Sequence, residues 1–337
     1  MPLRRSRPYG PGIRRTARGR GFSYITSEGE RVLDGELLER IRGLVIPPAW
    51  RRVWICPYAN GHIQAIGVDS AGRRQYIYHE QWRRERDEEK FDRVLELATR
   101  LPELRERIRD DLDRSGLTRH RVEAVAVGLI DRGVFRIGGE EYAAENGTRG
   151  IATLLRDQVQ VDGDEMLFDY VAKGGARRCV RIRDAPLARA VRALRRSRAD
   201  SGRLLVYRQD GRYRDLHADD INACFKELTG IDCSAKDLRT WQATVIAAAE
   251  FGRMDPPTSR RAQKNAERAV VAEVAAALGN TPAVARASYI DPRVVECFAD
   301  GVSIARALVR ARRAESDDEV QLVIERAVIR MLRRAGW

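Results

Sequence analysis

The chain has 337 residues, 43% of them hydrophobic, with 62 basic against 49 acidic side chains and a formal net charge of +13. That length allows two domains with packed cores, and the charge predicts a polyanionic partner, nucleic acid before an acidic membrane. There is no run of about 18 apolar residues, so no membrane span is expected, and an Arg-rich start without an apolar stretch predicts no secretory signal.

Residues 1–21 hold seven Arg and no acid, interspersed with Pro8, Gly10, Pro11, Gly12 and Gly19. This composition predicts a flexible basic arm able to track a polyanion. Residues 22–88 are predicted to form a small β-rich domain. One short helix is expected at Leu37–Leu44, followed by strands at Arg52–Cys56, His62–Val68 and Arg74–His79, with turns at Asn60-Gly61 and Ala71-Gly72. Beyond a boundary near residue 88 the chain becomes mainly helical, and residues 89–337 are assigned to a second, larger domain. Glu85–Arg100 and Glu103–Arg114 read as helices separated by Pro102. Three strands are expected at Val159–Val161, Glu165–Tyr170 and Arg178–Ile182. Asp162-Gly163 and Lys173-Gly174-Gly175 mark the turns between them. Helices are predicted at Leu187–Ala199, Ala218–Leu228, Ala235–Phe251, Arg260–Leu278 and Glu319–Ala335. Gly252 and Gly279 stand where helices end, and the expected fold class is α+β. Residues 1–90 carry 18 basic against 11 acidic side chains and the remainder 44 against 38, so both halves are basic.

The cysteines, Cys56, Cys179, Cys224, Cys233 and Cys297, include no CxxC pair. No metal site is expected, and an odd, scattered set suits a reducing cytoplasm. Only five residues are lysine, namely Lys90, Lys173, Lys226, Lys236 and Lys264, and none is followed by Ser or Thr. A Walker-type nucleotide site is therefore excluded. The acid pairs Asp110-Asp111, Asp219-Asp220 and Asp317-Asp318 read as helix starts and solvated faces.

The scarcity of lysine draws attention to Lys173 at a predicted hairpin tip. An ammonium can give up a proton where a guanidinium effectively cannot, which a general acid requires. Lys236 and Arg239 lie three apart at the start of a predicted helix, where the main chain attracts phosphate. Arg136 sits among Val134, Phe135 and Ile137, which implies a guanidinium held near a core and in need of an anion. Tyr289 lies on a short helix opened by Thr281-Pro282 and ended by Pro292. Taken singly, each has a plain structural reading: a chance loop lysine, a surface ion pair, a core arginine with a carboxylate, a packed tyrosine.

The order Arg136, Lys173, Lys236-x-x-Arg239, Asn280, Tyr289 resembles the type IB DNA topoisomerases, most closely their poxvirus-like bacterial branch. Ile46-Pro-Pro-Ala-Trp-Arg-Arg-Val-Trp-Ile-Cys-Pro57, Asn60-Gly-His-Ile-Gln64 and Gly72-Arg-Arg-Gln-Tyr-Ile-Tyr-His79 look like that branch's N-terminal clamp. Phe135-Arg-Ile-Gly138, Glu145-Asn-Gly147 and Lys173-Gly-Gly175 look like its catalytic signatures. The resemblance implies the catalytic fold shared with tyrosine recombinases, carrying a three-stranded sheet, in a monomer that closes around duplex DNA. It implies that Tyr289 is the nucleophile and becomes linked to a 3′ phosphate. Arg136 and Arg239 would clamp nonbridging oxygens, Asn280 would donate to one of them, and Lys173 would protonate the leaving 5′ oxygen with help from Lys236. Gln75, Tyr76, Tyr78 and Tyr142 would contact DNA. Ester exchange conserves the bond energy, so no cofactor, nucleotide or metal is expected. The proton acceptor for the phenol stays open between water and the phosphate. A nucleoid-associated cytoplasmic location follows.

The chain departs from eukaryotic and poxvirus relatives in having Asn280 where they have His, which removes a titrating group. It has Gly139-Glu140-Glu141 where poxvirus enzymes carry lysines, so a strict cleavage sequence is not expected. Residues 303–337 are expected to pack as a helix. Two other readings compete. A tyrosine recombinase would show His-x-x-Arg at 236–239 and a helical N-terminal domain, and strand exchange would reveal it. A non-catalytic DNA-binding module would keep its whole activity after Tyr289→Phe.

Overall fold

The computed structural model describes all residues except 1, 20, 141, 142, 144–146, 336 and 337. Two compact units emerge, Met1–Lys90 and Phe91–Trp337.

The first unit is an antiparallel sheet of five strands, β1 (Ile13–Arg18), β2 (Gly21–Ile25), β3 (Arg51–Ile55), β4 (Ile63–Val68) and β5 (Arg74–Tyr78), in the order β2-β1-β3-β4-β5. Alternation along β3 and β4 sends Val53, Ile55 and Ala65 to one face. There they pack with Ile13 and with Ile41 of helix α1 (Gly35–Gly43). Asp34 caps α1 by accepting from the Glu36 and Leu37 amides at 2.9 and 3.2 Å. Trp54, Cys56, Ile63 and Ile66 form a second small core.

That second core explains why residues 4–18 are not the flexible arm that composition suggests for residues 1–21. Residues 4–12 run along it: Ser6 Oγ donates to the Ile63 carbonyl at 2.9 Å, and Trp54 Nε1 donates to the Gly10 carbonyl at 3.0 Å. Gly12 is obligatory, since a Cβ would overlap the Trp54 indole. Ile13 is buried, and Arg15 turns its guanidinium onto the Ile46 and Trp50 carbonyls at 3.1 and 2.7 Å. The count of arginines hid one buried isoleucine and one arginine that serves as a main-chain donor.

The division between units falls within helix α2 (Glu80–Leu112). Two helices separated at Pro102 were expected, but one runs through it. Leu97, Ala98, Leu101, Leu104 and Ile108 form a continuous buried stripe across the proline. Their burial outweighs the cost of about 3 kcal/mol for an interior proline.

The second unit is built around α3 (Arg119–Gly133), buried along almost its whole length. A three-stranded sheet of order β6-β7-β8 follows: β6 (Val159–Asp162), β7 (Glu165–Val171) and β8 (Arg177–Arg183). Next come α4 (Ala185–Arg195) and a hairpin of β9 (Val206–Gln209) and β10 (Arg212–Asp215). This hairpin was not anticipated, although Asp210 and Gly211, both with positive φ, form the kind of two-residue turn that joins such strands. Helices α5 (Ala218–Thr229), α6 (Ala235–Gly252), α7 (Arg260–Leu278), α8 (Pro282–Ser288), α9 (Pro292–Ala299), α10 (Ala305–Ala311) and α11 (Asp317–Ala335) complete the unit. Among the described residues no helix is long and apolar enough to cross a membrane.

The C-terminal helix α11 is held by a buried ionic knot. Arg105 of α2 donates to Asp131 of α3 at 2.8 Å and to Glu325 of α11 at 2.6 Å, and Trp241 Nε1 of α6 reaches Glu325 at 3.3 Å. Removing the cation leaves two buried carboxylates. Arg105→Ala should therefore lower the unfolding free energy by about 3–5 kcal/mol in urea titrations followed by tryptophan fluorescence. An unchanged midpoint would contradict this account of how α11 is anchored.

Candidate active site

The site grows from the way α7 ends. Gly279 adopts a left-handed conformation, φ +61°, and the Asn280 amide turns back to the Ala275 carbonyl at 2.9 Å. The carbonyls of residues 277, 278 and 279 remain as acceptors at the negative end of the helix dipole. Each takes a different guanidinium. Arg178 Nη2 donates to Ala277 O at 2.9 Å, Arg239 Nη2 to Leu278 O at 3.0 Å, and Arg136 Nη2 to Gly279 O at 2.8 Å. Arg239 Nη1 also donates to Val134 O, and Arg136 Nη2 to Asn280 Oδ1.

Three distant stretches deliver these arginines. Val134, in a left-handed conformation after α3, lets Phe135 bury itself edge-on against Phe168, with ring centroids 5.0 Å apart, and Arg136 follows directly. Arg178 ends the inward-facing row Arg178, Val180, Ile182 on β8. Arg239 is the fifth residue of α6 and is almost completely buried, at 3% exposure.

Among the described residues the arginines' hydrogen-bond acceptors just named are carbonyls and the Asn280 side chain, with no carboxylate among them. Among the described residues, positive charge is therefore concentrated without a carboxylate hydrogen-bonded to these guanidiniums. Burial pushes the Arg239 guanidinium down to about 10. The neighbouring Arg136 acts in the same direction, and Tyr289 opposes it. Burial likewise lowers Arg136. Among the described residues, Arg239 Nε and Asn280 Nδ2 are buried donors with no hydrogen-bond partner, an arrangement that costs free energy until an acceptor is supplied. The cluster is built to receive an anion.

Tyr289 lies beside it. Thr281 caps α8, and the Tyr289 amide closes that helix on the Ala285 carbonyl at 3.0 Å. The Tyr289 carbonyl accepts from Thr244 Oγ1 of α6 at 3.4 Å. Just beyond, buried Asp291 and Arg293 pair at 2.8 Å, and Arg293 reaches Asp92 at 3.0 Å. Held on both sides, the phenol ring sits with its centroid 5.8 Å from Arg239 Cζ, within electrostatic reach of Arg136 as well.

Arg136, Arg239, Asn280 and Tyr289 thus meet in space, while the two lysines nominated from the sequence stand differently. Lys173 is exposed at the tip of the β7–β8 hairpin, between Ala172, whose amide bonds to the Ala176 carbonyl at 2.8 Å, and the positive-φ Gly174 and Gly175. Lys236 is exposed on the first turn of α6, whereas Arg239 is buried, so the two do not share one environment. Asp237, an apparent partner for Lys236, is engaged instead by Ser234 Oγ at 2.8 Å and by Arg93 at 3.1 Å.

In the first unit, Tyr76 and Tyr78 are exposed on edge strand β5 and stack with centroids 5.9 Å apart. Gln75 does not join them. It lies on the opposite side of the strand with Ile77, and its amide donates to Asp69 at 2.9 Å; the alternation of a strand forbids all three from sharing a face. Tyr142, Glu145 and Asn146 lie outside the described residues. Among the described residues no three His, Cys, Asp or Glu side chains converge as a metal ligand set.

Two residues of the cluster escaped sequence reasoning, Arg178 and Tyr170. Tyr170 is buried and pairs across the strands with Arg178. The signal was the alternation itself, which sets Arg178 on the same side as Val180 and Ile182, an inward place for a charge.

Comparison with known proteins gives the family. Residues 79–310 match the family model described as eukaryotic DNA topoisomerase I, catalytic core. Residues 21–69 match that of the bacterial DNA topoisomerase IB N-terminal domain. DNA topoisomerase 1B of Acanthamoeba polyphaga mimivirus is 28% identical over 296 residues, covering 85% of this chain and 87% of its own. DNA topoisomerase I of Monkeypox virus and DNA topoisomerase 1B of vaccinia virus (strain Copenhagen) are each 23% identical over 239 residues, 70% of this chain and 72% of theirs. The chain belongs to the DNA topoisomerase I family, an isomerase class, through its catalytic core. Within that class its N-terminal unit is of the bacterial type IB kind.

Proposed function

We propose that this enzyme relaxes supercoiled duplex DNA as a monomer, by cutting one strand with Tyr289 and resealing it, without nucleotide or metal. The Tyr289 oxygen bonds to a backbone phosphorus as the P–O5′ bond breaks, leaving a 3′-phosphotyrosyl link and a free 5′ hydroxyl. The strand rotates, and the 5′ hydroxyl then attacks the same phosphorus and expels the tyrosine. One phosphate ester replaces another at each step, so torsional stress in the DNA suffices to drive the net change.

The observation that carries this reading is the cluster of guanidiniums held by main-chain carbonyls beside a phenol, with no carboxylate bonded to them among the described residues. Arg136 and Arg239 are oriented by helix-end carbonyls, and the buried Arg239 Nε and Asn280 Nδ2 await acceptors. Preset donors of this kind stabilise charge that builds on nonbridging oxygens, the role a metal plays elsewhere. Lys173 is assigned as the acid for the 5′ oxygen. Its hairpin is rooted in the cluster through Tyr170 and Arg178, three residues before Lys173 and five after it. Lys236, exposed one turn from Arg239, assists as a second cation. The stacked Tyr76 and Tyr78 are assigned to contacts with the duplex.

Supercoiled plasmid incubated with the enzyme in EDTA and without ATP is expected to relax through a ladder of topoisomers. A strict requirement for either added metal or nucleotide would sink this mechanism.

A further inference from the structure

Arg178 has no part in the chemistry just described, yet it joins two pieces of the site. It faces Tyr170 across β7 and β8 in the last inward-facing pair before the hairpin tip that carries Lys173. From there its Nη2 reaches across to Ala277 O at 2.9 Å. Its Nη1 lies so close to Gly279 that a Cβ on that glycine would overlap it. One planar guanidinium therefore fastens the root of the Lys173 hairpin to the end of α7, next to the two carbonyls that orient Arg239 and Arg136 and to Asn280.

The hairpin needs such a fastening. Its tip contains two adjacent positive-φ glycines, Gly174 and Gly175, with nothing packed where their side chains would be. A glycine tip is conformationally permissive, so the course of the main chain at Lys173 follows from where the strands below it are held. Ala172 is buried, and the Val171 carbonyl accepts from the Arg149 amide at 2.7 Å. These contacts fix the strand ends; Tyr170 stacks on Phe135, with ring centroids 5.9 Å apart, and Arg178 ties the same strands to the end of α7. Burial raises the Tyr170 phenol, and Arg178 is its foremost counterweight, which agrees with a tight cross-strand pair.

We propose that Arg178 is a positioning residue that sets the place of Lys173 relative to the departing 5′ oxygen by locking the hairpin to the C-terminal end of α7. This rests on the assignment of Lys173 as the acid in the mechanism above. Its consequence is specific. A residue that acts by placing the acid matters only when the leaving group needs a proton. A 5′ alkoxide needs one, whereas a 5′ thiolate, whose conjugate thiol ionises near pH 8.5, departs without it.

The test is single-turnover covalent cleavage by the full chain on two duplexes that differ only at the scissile bond, one ordinary and one with sulfur at the bridging 5′ position. Arg178→Ala is expected to cleave the ordinary ester about 100-fold more slowly than the parent, and the 5′-thio ester within a few-fold of it. Lys173→Ala should behave the same way. Arg178→Lys keeps the charge but loses the planar fork that places one nitrogen on Ala277 O and the other against Gly279. It should be slowed on the ordinary ester by about tenfold or more and also rescued by sulfur, so it carries the comparison if the alanine variant does not fold. Equal slowing on both esters, or no slowing on the ordinary one, overturns the proposal for Arg178. If Lys173→Ala is not rescued by sulfur, the acid assignment fails and this proposal with it. If the parent forms no covalent adduct with either duplex, the proposed function itself fails.

Discussion

Tyr289→Phe will form no covalent link to DNA and relax no plasmid, while binding duplex DNA within a few-fold of the parent. The substitution removes one oxygen. The ring keeps its place between α8 and α6, because that place is set by the main chain, through the Ala285 carbonyl and Thr244 Oγ1, and by the buried Asp291–Arg293 pair. Loss of a catalytic nucleophile costs on the order of 10⁶ in rate, which is below detection in a relaxation assay. The other phenol in the cluster offers no substitute. Tyr170 is 4% exposed and burial raises its pKa, so it is shielded from an incoming phosphorus and holds its proton. Gel-shift titration and plasmid relaxation run side by side will separate binding from chemistry, and a Phe variant that relaxes DNA would refute the assignment.

The second large effect is at Arg239. Arg239→Ala should slow single-turnover cleavage by about 10² to 10³, the loss seen when one preset donor to a developing oxyanion is removed. Arg239→Lys should also be impaired, since a single ammonium cannot reproduce a fork that reaches Val134 O and Leu278 O together. Stability should move much less than rate. The variant leaves carbonyls without a donor, which costs about 1–3 kcal/mol, but it also removes a guanidinium whose pKa burial, and then the neighbouring Arg136, depress. A small change in melting temperature together with a large loss of cleavage rate is the expected signature. Cleavage within a few-fold of the parent would show that Arg239 only packs.

The parts of this molecule that were legible in the sequence are those written in side-chain chemistry. Arg136 within an apolar run, Tyr289 between a Thr-Pro start and a Pro stop, and the glycine after α7 each carry a local reason, and the strands β6–β8 declare themselves by alternation and turns. What was not legible lies in main-chain acceptors and in arginines used for unlike purposes. Nothing in the letters of residues 277–279 announces that three carbonyls will each hold a guanidinium. Arg178 looks like Arg177 and Arg181, although Arg177 and Arg181 pair with Asp169 and Glu165 on the exposed side. Arg15 looks like the other arginines near the N-terminus until it is found gripping carbonyls around Trp50. Gln75 was named with Tyr76 and Tyr78 from the family resemblance, while the alternation of the strand sets it on the opposite face. Pro102 marked a break that a long buried stripe overrode.

The central claim is that two guanidiniums, an amide and a phenol surround one phosphorus. It is tested most directly by trapping the enzyme on a duplex whose cleaved 5′ fragment diffuses away, digesting the adduct and mapping the modified peptide by mass spectrometry. The account predicts a single modified residue, Tyr289, joined to the 3′ phosphate of the retained strand. A DNA link on Tyr170 or any other residue, a link to a 5′ phosphate, or the absence of any adduct under conditions where plasmid is relaxed would contradict it.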